Sequence, residues 1–513
     1  MLARLATFAI DGVEPRQVWV EVDIRSGLPT FTVVGLGDTA VRESRDRVRA
    51  AIQNSGFEFP QKRITANLAP AFLRKVGPGF DAALALGVLA ASGQVPASAL
   101  GSYAVFGELS LNGELRDSPG ALAVAEGARR AGLERLIVPV ERGREAALVD
   151  GLEVVAVPTL RAATGVLVGA EPPELEARPA LPSSPSAPAP DLADVRGHAT
   201  PLLALELAAA GGHNLLLEGA PGTGKTMLAR RLVSILPPMS RREAVEVTRI
   251  HSVAGLCADG LINRRPFRAP HHTISSAGLV GGGSPPRPGE ATLANHGVLF
   301  LDELSEFQRT SLEALRQPLE DGRVTIVRAQ RALVFPTQFM LVAATNPCPC
   351  GFAGVGDRCQ CGEADLRRHR RRLSGPLLDR MDLLVTVERP TGPELAAPPL
   401  TSSEASRRRI ASARERQHAR LEGTAARCNG ELDSRLLRRH VRLEASAEKV
   451  LARAYAAGAL SARGRDRVVR VARTIADLGG RERVAGDDVL RALSLRQRSS
   501  GEETHGWPQA ASA

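Results

Sequence analysis

Apolar and polar residues alternate with a period of two in VWVEVDI (18–24), FTVVGL (31–36), RITANL (63–68) and YAVFGELSL (103–111), which predicts strands with one face on a core. Helical spacing takes over in VRESRDRVRAAIQNSG (41–56), DAALALGVLAASG (81–93) and GALAVAEGARRAG (120–132). Strands and helices mix without strict strand–helix–strand alternation, so residues 1–170 read as a compact α+β domain. The pattern then stops. Seven of the twenty residues from 171 to 190 are proline, a density that favours extended chain, and 171–191 read as a linker. Beyond it a short buried strand at 214–218 meets a glycine loop and a helical run, MLARRLVSIL (227–236). Further buried strands follow in GVLFLDEL (297–304) and QFMLVAATNP (338–347), giving an α/β core over 192–390. SEASRRRIASARERQHARL, DSRLLRRHVRL, SAEKVLARAYAAG, GRDRVVRVARTIADLGG and AGDDVLRALSLR are all helical in period and make a helical region of 391–498. Residues 499–513 carry no pattern and are expected to be a disordered tail.

Composition adds a partner class. The 513-residue chain suits two or three domains and carries a formal charge of +10, almost all of its basic residues being arginine. Such an excess favours a polyanion such as nucleic acid. Aromatics make up only 3% of residues, which argues against a base-stacking platform and for contact with backbone phosphates regardless of sequence. MLARLATFAIDG is too short an apolar run for a signal peptide, and the longest apolar run, 82–91, is too short to span a bilayer. The expectation is a cytoplasmic protein with reduced thiols and no membrane partner.

Two motifs carry chemistry. Gly219, Ala220, Pro221, Gly222, Thr223, Gly224, Lys225 and Thr226 fill the template G-x-x-x-x-G-K-[ST] between a strand and a helix. In that context the loop amides cradle phosphates at the helix N-terminus, Lys225 reaches the β- and γ-phosphates of ATP, and Thr226 ligates Mg²⁺. Some seventy residues on, the apolar strand of GVLFLDEL ends in Asp302 and Glu303. Asp302 is placed to hold Mg²⁺ through water and Glu303 to orient and deprotonate the attacking water. A third feature is the cysteine cluster Cys348, Cys350, Cys359 and Cys361, four of the six cysteines within fourteen residues. Its two C-x-C pairs can close around a structural Zn²⁺; free buried thiols are the alternative, with disulfides behind both. RRHRRR (367–372) follows, either a solvated helix face or a phosphate contact.

The run GLPTFTVVGLGDTAVRESRDRVRAAIQNSGFEFPQKRITANLAPA resembles the N-terminal domain of the ComM/YifB family of magnesium-chelatase-like AAA+ ATPases, and the resemblance extends over residues 1–495. It implies an α/β multidomain protein: an α+β, ribosomal-S5-like (Lon-protease-like) N-terminal domain, an AAA+ P-loop α/β core and a C-terminal helical lid. Lon-type proteases use a serine and a lysine, which match Gly79 in VGPGFD and about Ala123 in SPGALAV, so no peptidase activity is expected. Asn346 is similar to the sensor-1 residue that positions water, and Arg380 in SGPLLDRMDL to an arginine finger supplied by a neighbouring subunit, which implies a homo-hexamer. Arg463, with Arg467 as the alternative, matches the sensor-2 arginine that contacts nucleotide. The stretch 265–297, with His271 and His272, resembles a helix-2 insert, and 320–336 a hairpin with Arg323, Arg328 and Arg331 near its turn. In hexameric relatives such loops grip DNA in the pore. Adjacent histidines rarely share a metal, so His271 and His272 are expected to be structural or to contact phosphate. The function implied is ATP-driven branch migration or unwinding of single-stranded or branched DNA in homologous recombination, including integration of DNA in natural transformation, with recombination proteins as further partners. A magnesium-chelatase motor subunit and a Lon-related ATP-dependent regulator without peptidase activity are the rival readings.

Overall fold

The structure, a computed structural model, describes residues 2–173, 190–256, 260–284, 286–328, 331–354, 356–372, 375–458 and 460–496. Residues 174–189 of the expected linker (171–191) and the whole of the expected tail (499–513) lie outside the described residues. The N-terminal part is built on a seven-stranded mixed sheet. Its centre is an antiparallel hairpin of Leu2–Asp11 and Glu14–Arg25, in which Ala6 faces Trp19. Arg63–Ala69 and Thr30–Val34 extend the sheet on one side, and Tyr103–Val105, Arg135–Pro139 and Glu153–Val157 on the other. Side chains alternate across the sheet as a period of two requires. Leu5, Val20 and Val22 pack under helices Thr39–Asn54 and Asp81–Ala91, while Ala6 and Phe8 pack under helix Ala121–Arg130.

The long strand expected at 103–111 is two short ones, Tyr103–Val105 and Glu108–Leu109, because the chain leaves the sheet at Phe106 and Gly107. At Gly79 a Cβ would stand 2.5 Å from the Phe106 ring, and Ala123 is completely buried. The ring of Phe106 thus fills the space that a side chain at position 79 would need.

The second sheet has five strands, all parallel, in the order Phe267–Arg268, Val298–Leu301, Met340–Thr345, Leu215–Glu218, Leu383–Thr386. Both faces are covered, which explains the unbroken apolar runs VLFL and LLL. Leu215 and Leu217 face helices Ala199–Gly211 and Lys225–Ile235 and the C-terminal helices, whereas Leu216 faces the insert and helix Arg309–Ala314. The C-terminal helices, led by Ser403–Leu421 and Ala462–Leu478, are joined to the sheet by a buried polar network. Asp477 accepts from Arg420 (2.7 Å), Arg473 (3.0 Å) and Asn429 (2.8 Å), and Thr474 meets His213, just before the phosphate-loop strand, at 2.7 Å.

The N-terminal part rests on the second sheet's periphery. Arg249 of helix Arg241–Val253 reaches Glu126 at 2.9 Å and Glu14 at 3.4 Å, and Val13 packs with Ile250, Leu293, Val324 and Phe335. Val324 and Phe335 belong to the hairpin Arg323–Arg328/Arg331–Pro336, so the N-terminal domain grips that hairpin at its base. Among the described residues, no helix is long and apolar enough to cross a membrane.

Candidate nucleotide site

Register explains why distant motifs meet. Glu218 pairs with Thr345 and Leu301 with Ala343, so three parallel strands end at nearly one level, at the carboxyl edge where ligands collect in open α/β sheets. The phosphate loop leaves the first strand tightly: a Cβ on Gly219 would lie 2.3 Å from the Val387 carbonyl oxygen. Gly224, at φ +90°, turns the chain into helix Lys225–Ile235. Thr223 Oγ1 donates to the Ala220 carbonyl at 2.9 Å and closes the loop.

Lys225 is buried at the centre. Its Nζ donates to the carbonyls of Gly219 (2.6 Å) and Ala220 (2.9 Å) and to Asn346 Oδ1 (3.1 Å). Burial draws its ammonium below the ordinary value, against the opposing pull of Asp302 and Glu303. Thr226 Oγ1 donates to Asp302 Oδ2 at 2.7 Å, so two hard oxygens lie side by side beside the loop. That pair fits a Mg²⁺ site, and the loop with its inward ammonium fits a polyphosphate. Glu303 sits at φ +52°, its backbone N–H donating to Asp302 Oδ1 at 3.0 Å, and its carboxylate is exposed. His272 Nδ1 stands 3.6 Å from Glu303 Oε2.

Lys225, Thr226, Asp302, Glu303 and Asn346 are therefore brought together. Arg380 and Arg463 stand apart: Arg380 is ion-paired with Glu320 of the same chain, and Arg463 is exposed in the first turn of helix Ala462–Leu478. Arg467 points to Asp382, at 3.8 Å. In the hairpin, Arg328 and Arg331 pair across the turn, and their side chains lie outside the described residues. Arg323 is a correction: it pairs with Pro336 at the open end of the hairpin, five residues from Arg328 and so roughly 17 Å from the turn at strand spacing. His271 lies against His272 with ring centres 4.1 Å apart and the rings tilted by 33°.

The four cysteines converge. Cys348 Sγ lies 3.3 Å from Cys350 Sγ and 3.9 Å from Cys359 Sγ, Cys350 lies 3.7 Å from Cys359, and all four sulfurs fall within 4.8 Å of one another. Tetrahedral zinc with Zn–S bonds of about 2.3 Å needs sulfurs about 3.8 Å apart, so the cluster fits the metal. Backbone N–H groups of Phe352 and Gln360, with the Cys348 thiol, draw the Cys350 thiol down to about 6. The knuckle touches the nucleotide site in two ways that the sequence pattern does not reveal. A Cβ on Gly351 would collide with Pro221 of the phosphate loop at 2.6 Å, and buried His369, on the following helix, bonds the Asn346 carbonyl through Nε2 at 2.9 Å. His369 was hidden inside a basic run; only its neighbourhood marks it.

Three family models match successive parts of the chain: "Subunit ChlI of Mg-chelatase" over residues 20–142, "Magnesium chelatase, subunit ChlI" over 191–395 and "Magnesium chelatase, subunit ChlI C-terminal" over 400–496. The chain is 42% identical to the uncharacterized protein YifB of Escherichia coli K12, across 96% of this chain and 97% of the relative. It is 41% identical to the competence protein ComM of Haemophilus influenzae, again across 96% and 97%. The chain belongs to the ComM/YifB family of magnesium-chelatase-like proteins. A further relative, the uncharacterized protein Rv2897c of Mycobacterium tuberculosis, is 45% identical across 97% of this chain and 99% of its own length. The family implies ATP and Mg²⁺, and the mixed α/β architecture with a parallel sheet and C-terminal helices agrees with a magnesium-chelatase-like AAA+ protein.

Proposed function

We propose that this member of the ComM/YifB family is the subunit of a hexameric AAA+ ATPase that moves branched or single-stranded DNA, driving branch migration or unwinding in homologous recombination. The observation that carries the ATPase reading is the convergence of Lys225, Thr226, Asp302, Glu303 and Asn346 at one sheet edge. Lys225 gives up the carbonyls of Gly219 and Ala220 for the β- and γ-phosphate oxygens, and the loop amides of residues 219–226 hold the rest of the chain of phosphates. Thr226, and Asp302 through water, would hold Mg²⁺, which when bound neutralises charge on those oxygens. Glu303 accepts the proton of the attacking water as the water oxygen bonds the γ-phosphorus and the bond to the β–γ bridging oxygen breaks. Asn346 orients that water, while Arg380 arrives from the neighbouring subunit and Arg463 from the helical lid. The thiolates of Cys348, Cys350, Cys359 and Cys361 hold a structural Zn²⁺. The N-terminal domain is S5-like and serves assembly, since Phe106 occupies the space at Gly79 where a Lon-type nucleophile would stand.

The DNA part is supported by the competence protein among the relatives and by the net charge of +10. The magnesium-chelatase motor reading is supported by the family description. A labelled four-way DNA junction with ATP separates them. The parent is expected to process the junction and Glu303→Gln to bind ATP without processing it. ATP turnover indifferent to DNA, with the junction untouched across salt concentrations, would sink the DNA reading. Lys225→Ala is expected to lose nucleotide binding.

A further inference from the structure

Helix Glu363–Arg372 carries Arg368, Arg371 and Arg372 at spacings of three and four, which puts them on one face. The helix is fixed from the other side by buried His369 on the Asn346 carbonyl. That arginine face looks across a concavity of about 490 Å³ at the turn Leu304–Glu306 and at Arg309. The lining thus has four guanidinium groups and one carboxylate, that of Glu306, a local excess of three positive charges. Arg371 has no acidic partner among the described residues. The others have weak ones: Arg372 lies 3.6 Å from Glu306, Arg368 lies 3.6 Å from Asp365, and Arg309 bonds Glu313 at 3.0 Å, all with more than half of the arginine side chain exposed. Exposed pairs of this kind are weak and exchange readily for a phosphate, to which a guanidinium can make two parallel bonds.

We propose that this concavity binds backbone phosphates of a polynucleotide strand, separately from the hairpin, and passes strand binding to the nucleotide site. It is open, and Phe307 is the one apolar residue in a lining otherwise made of charged and hydroxyl side chains, so it suits a phosphate chain held without regard to sequence. Both walls run into catalytic groups. One begins at Leu304, directly after Glu303, and the other is bonded to Asn346 and follows the cysteine knuckle that rests on Pro221. The inference rests on the DNA reading above and gives it a contact site.

The test uses the full-length protein, a fluorescent single-stranded 30-mer of DNA and anisotropy titrations at several salt concentrations. Three neutralisations together, Arg368→Gln, Arg371→Gln and Arg372→Gln, are expected to weaken binding at least tenfold at about 100 mM salt. They are also expected to flatten the plot of log affinity against log salt by about two, at roughly 0.7 per lost single-strand phosphate contact. The ratio of ATP hydrolysis with and without DNA is expected to fall toward one. Lysine at the same three positions is expected to keep most of the binding, and Arg309→Gln, on a separate element, to lose part of it. Parental affinity and salt slope in the triple glutamine variant would overturn the proposal; a loss of ATP hydrolysis alongside them would assign the arginines to a nucleotide's phosphates instead. A parent that binds no DNA would fail the proposed function itself, whereas a parent that binds and a variant that binds equally fails only this site.

Discussion

Glu303 holds a left-handed backbone conformation that side chains other than glycine rarely adopt, and strain of this kind persists only where surrounding contacts impose it. Asp302 Oδ1 accepts from its N–H at 3.0 Å, and His272 Nδ1 stands 3.6 Å from its carboxylate. A role for His272 in positioning the proposed base is open to a direct test. His272→Ala is expected to lower the turnover number for ATP roughly 10- to 100-fold with little change in KM, measured by phosphate release; a KM change alone would mean that the ring serves nucleotide binding instead. Asp81 makes a second residue-scale case, far from that chemistry. It is fully buried, and burial pushes its carboxyl from 3.8 up to about 6, even though Arg47 bonds it at 2.7 and 3.2 Å. Between those two values the folded chain keeps a proton that the unfolded chain has released. Stability from this group is thus complete below about pH 4 and is lost as pH rises through 6, by up to about 3 kcal/mol. Denaturant unfolding followed by Trp19 fluorescence should show this fall, and Asp81→Asn should remove it.

At the scale of elements, the cysteine knuckle is a brace between the phosphate loop and the residue after the third parallel strand. Its glycine-rich loop lets Gly351 sit at φ +85° against Pro221, where any side chain would strike the proline ring. Metal analysis of the purified protein is expected to find one zinc per chain, absent when the four cysteines are changed to serine. Because the knuckle touches Pro221 and continues into the helix that bonds Asn346, that variant should hydrolyse ATP more slowly as well; full activity without metal would reduce the knuckle to a local fold. The hairpin teaches a related lesson about reach. A basic pattern placed Arg323, Arg328 and Arg331 together, but a six-residue antiparallel register separates Arg323 from the other two by the whole strand.

At the scale of the whole molecule, Arg380 lies in an ion pair with Glu320 while its carbonyl accepts from Asn214 Nδ2 at 3.1 Å, next to the start of the phosphate-loop strand. If it acts on a neighbour's nucleotide, then mixing two inactive variants should restore activity. A ring that combines Lys225→Ala subunits with Arg380→Ala subunits contains interfaces where an intact Lys225 faces an intact Arg380. ATP hydrolysis by the mixture is expected to exceed that of either variant alone several-fold, and no gain on mixing would place Arg380 within its own subunit's site. The N-terminal domain is joined to the core of its own chain through Arg249, Glu14 and Glu126 and through Val13 on the base of the hairpin.

The amino-acid sequence alone determined the elements and the motifs. The 3.6-residue period marks the helices of the C-terminal region, and the phosphate-loop template and the Asp302–Glu303 pair are local words whose chemistry follows from residue type and spacing. The first strand, Leu2–Asp11, carries no clean period of two; it is the centre of a sheet because residues 14–25 fold back on it. Only the tertiary structure decided which loops share a sheet edge. Strand order and register are long-range properties, and they set Thr226 against Asp302, Lys225 against Asn346 and His272 against Glu303 across separations of dozens of residues. The same holds for the arginine-lined concavity: a basic run is a solvated face or a binding site according to what stands opposite it, and here that is Arg309 and the turn after Glu303.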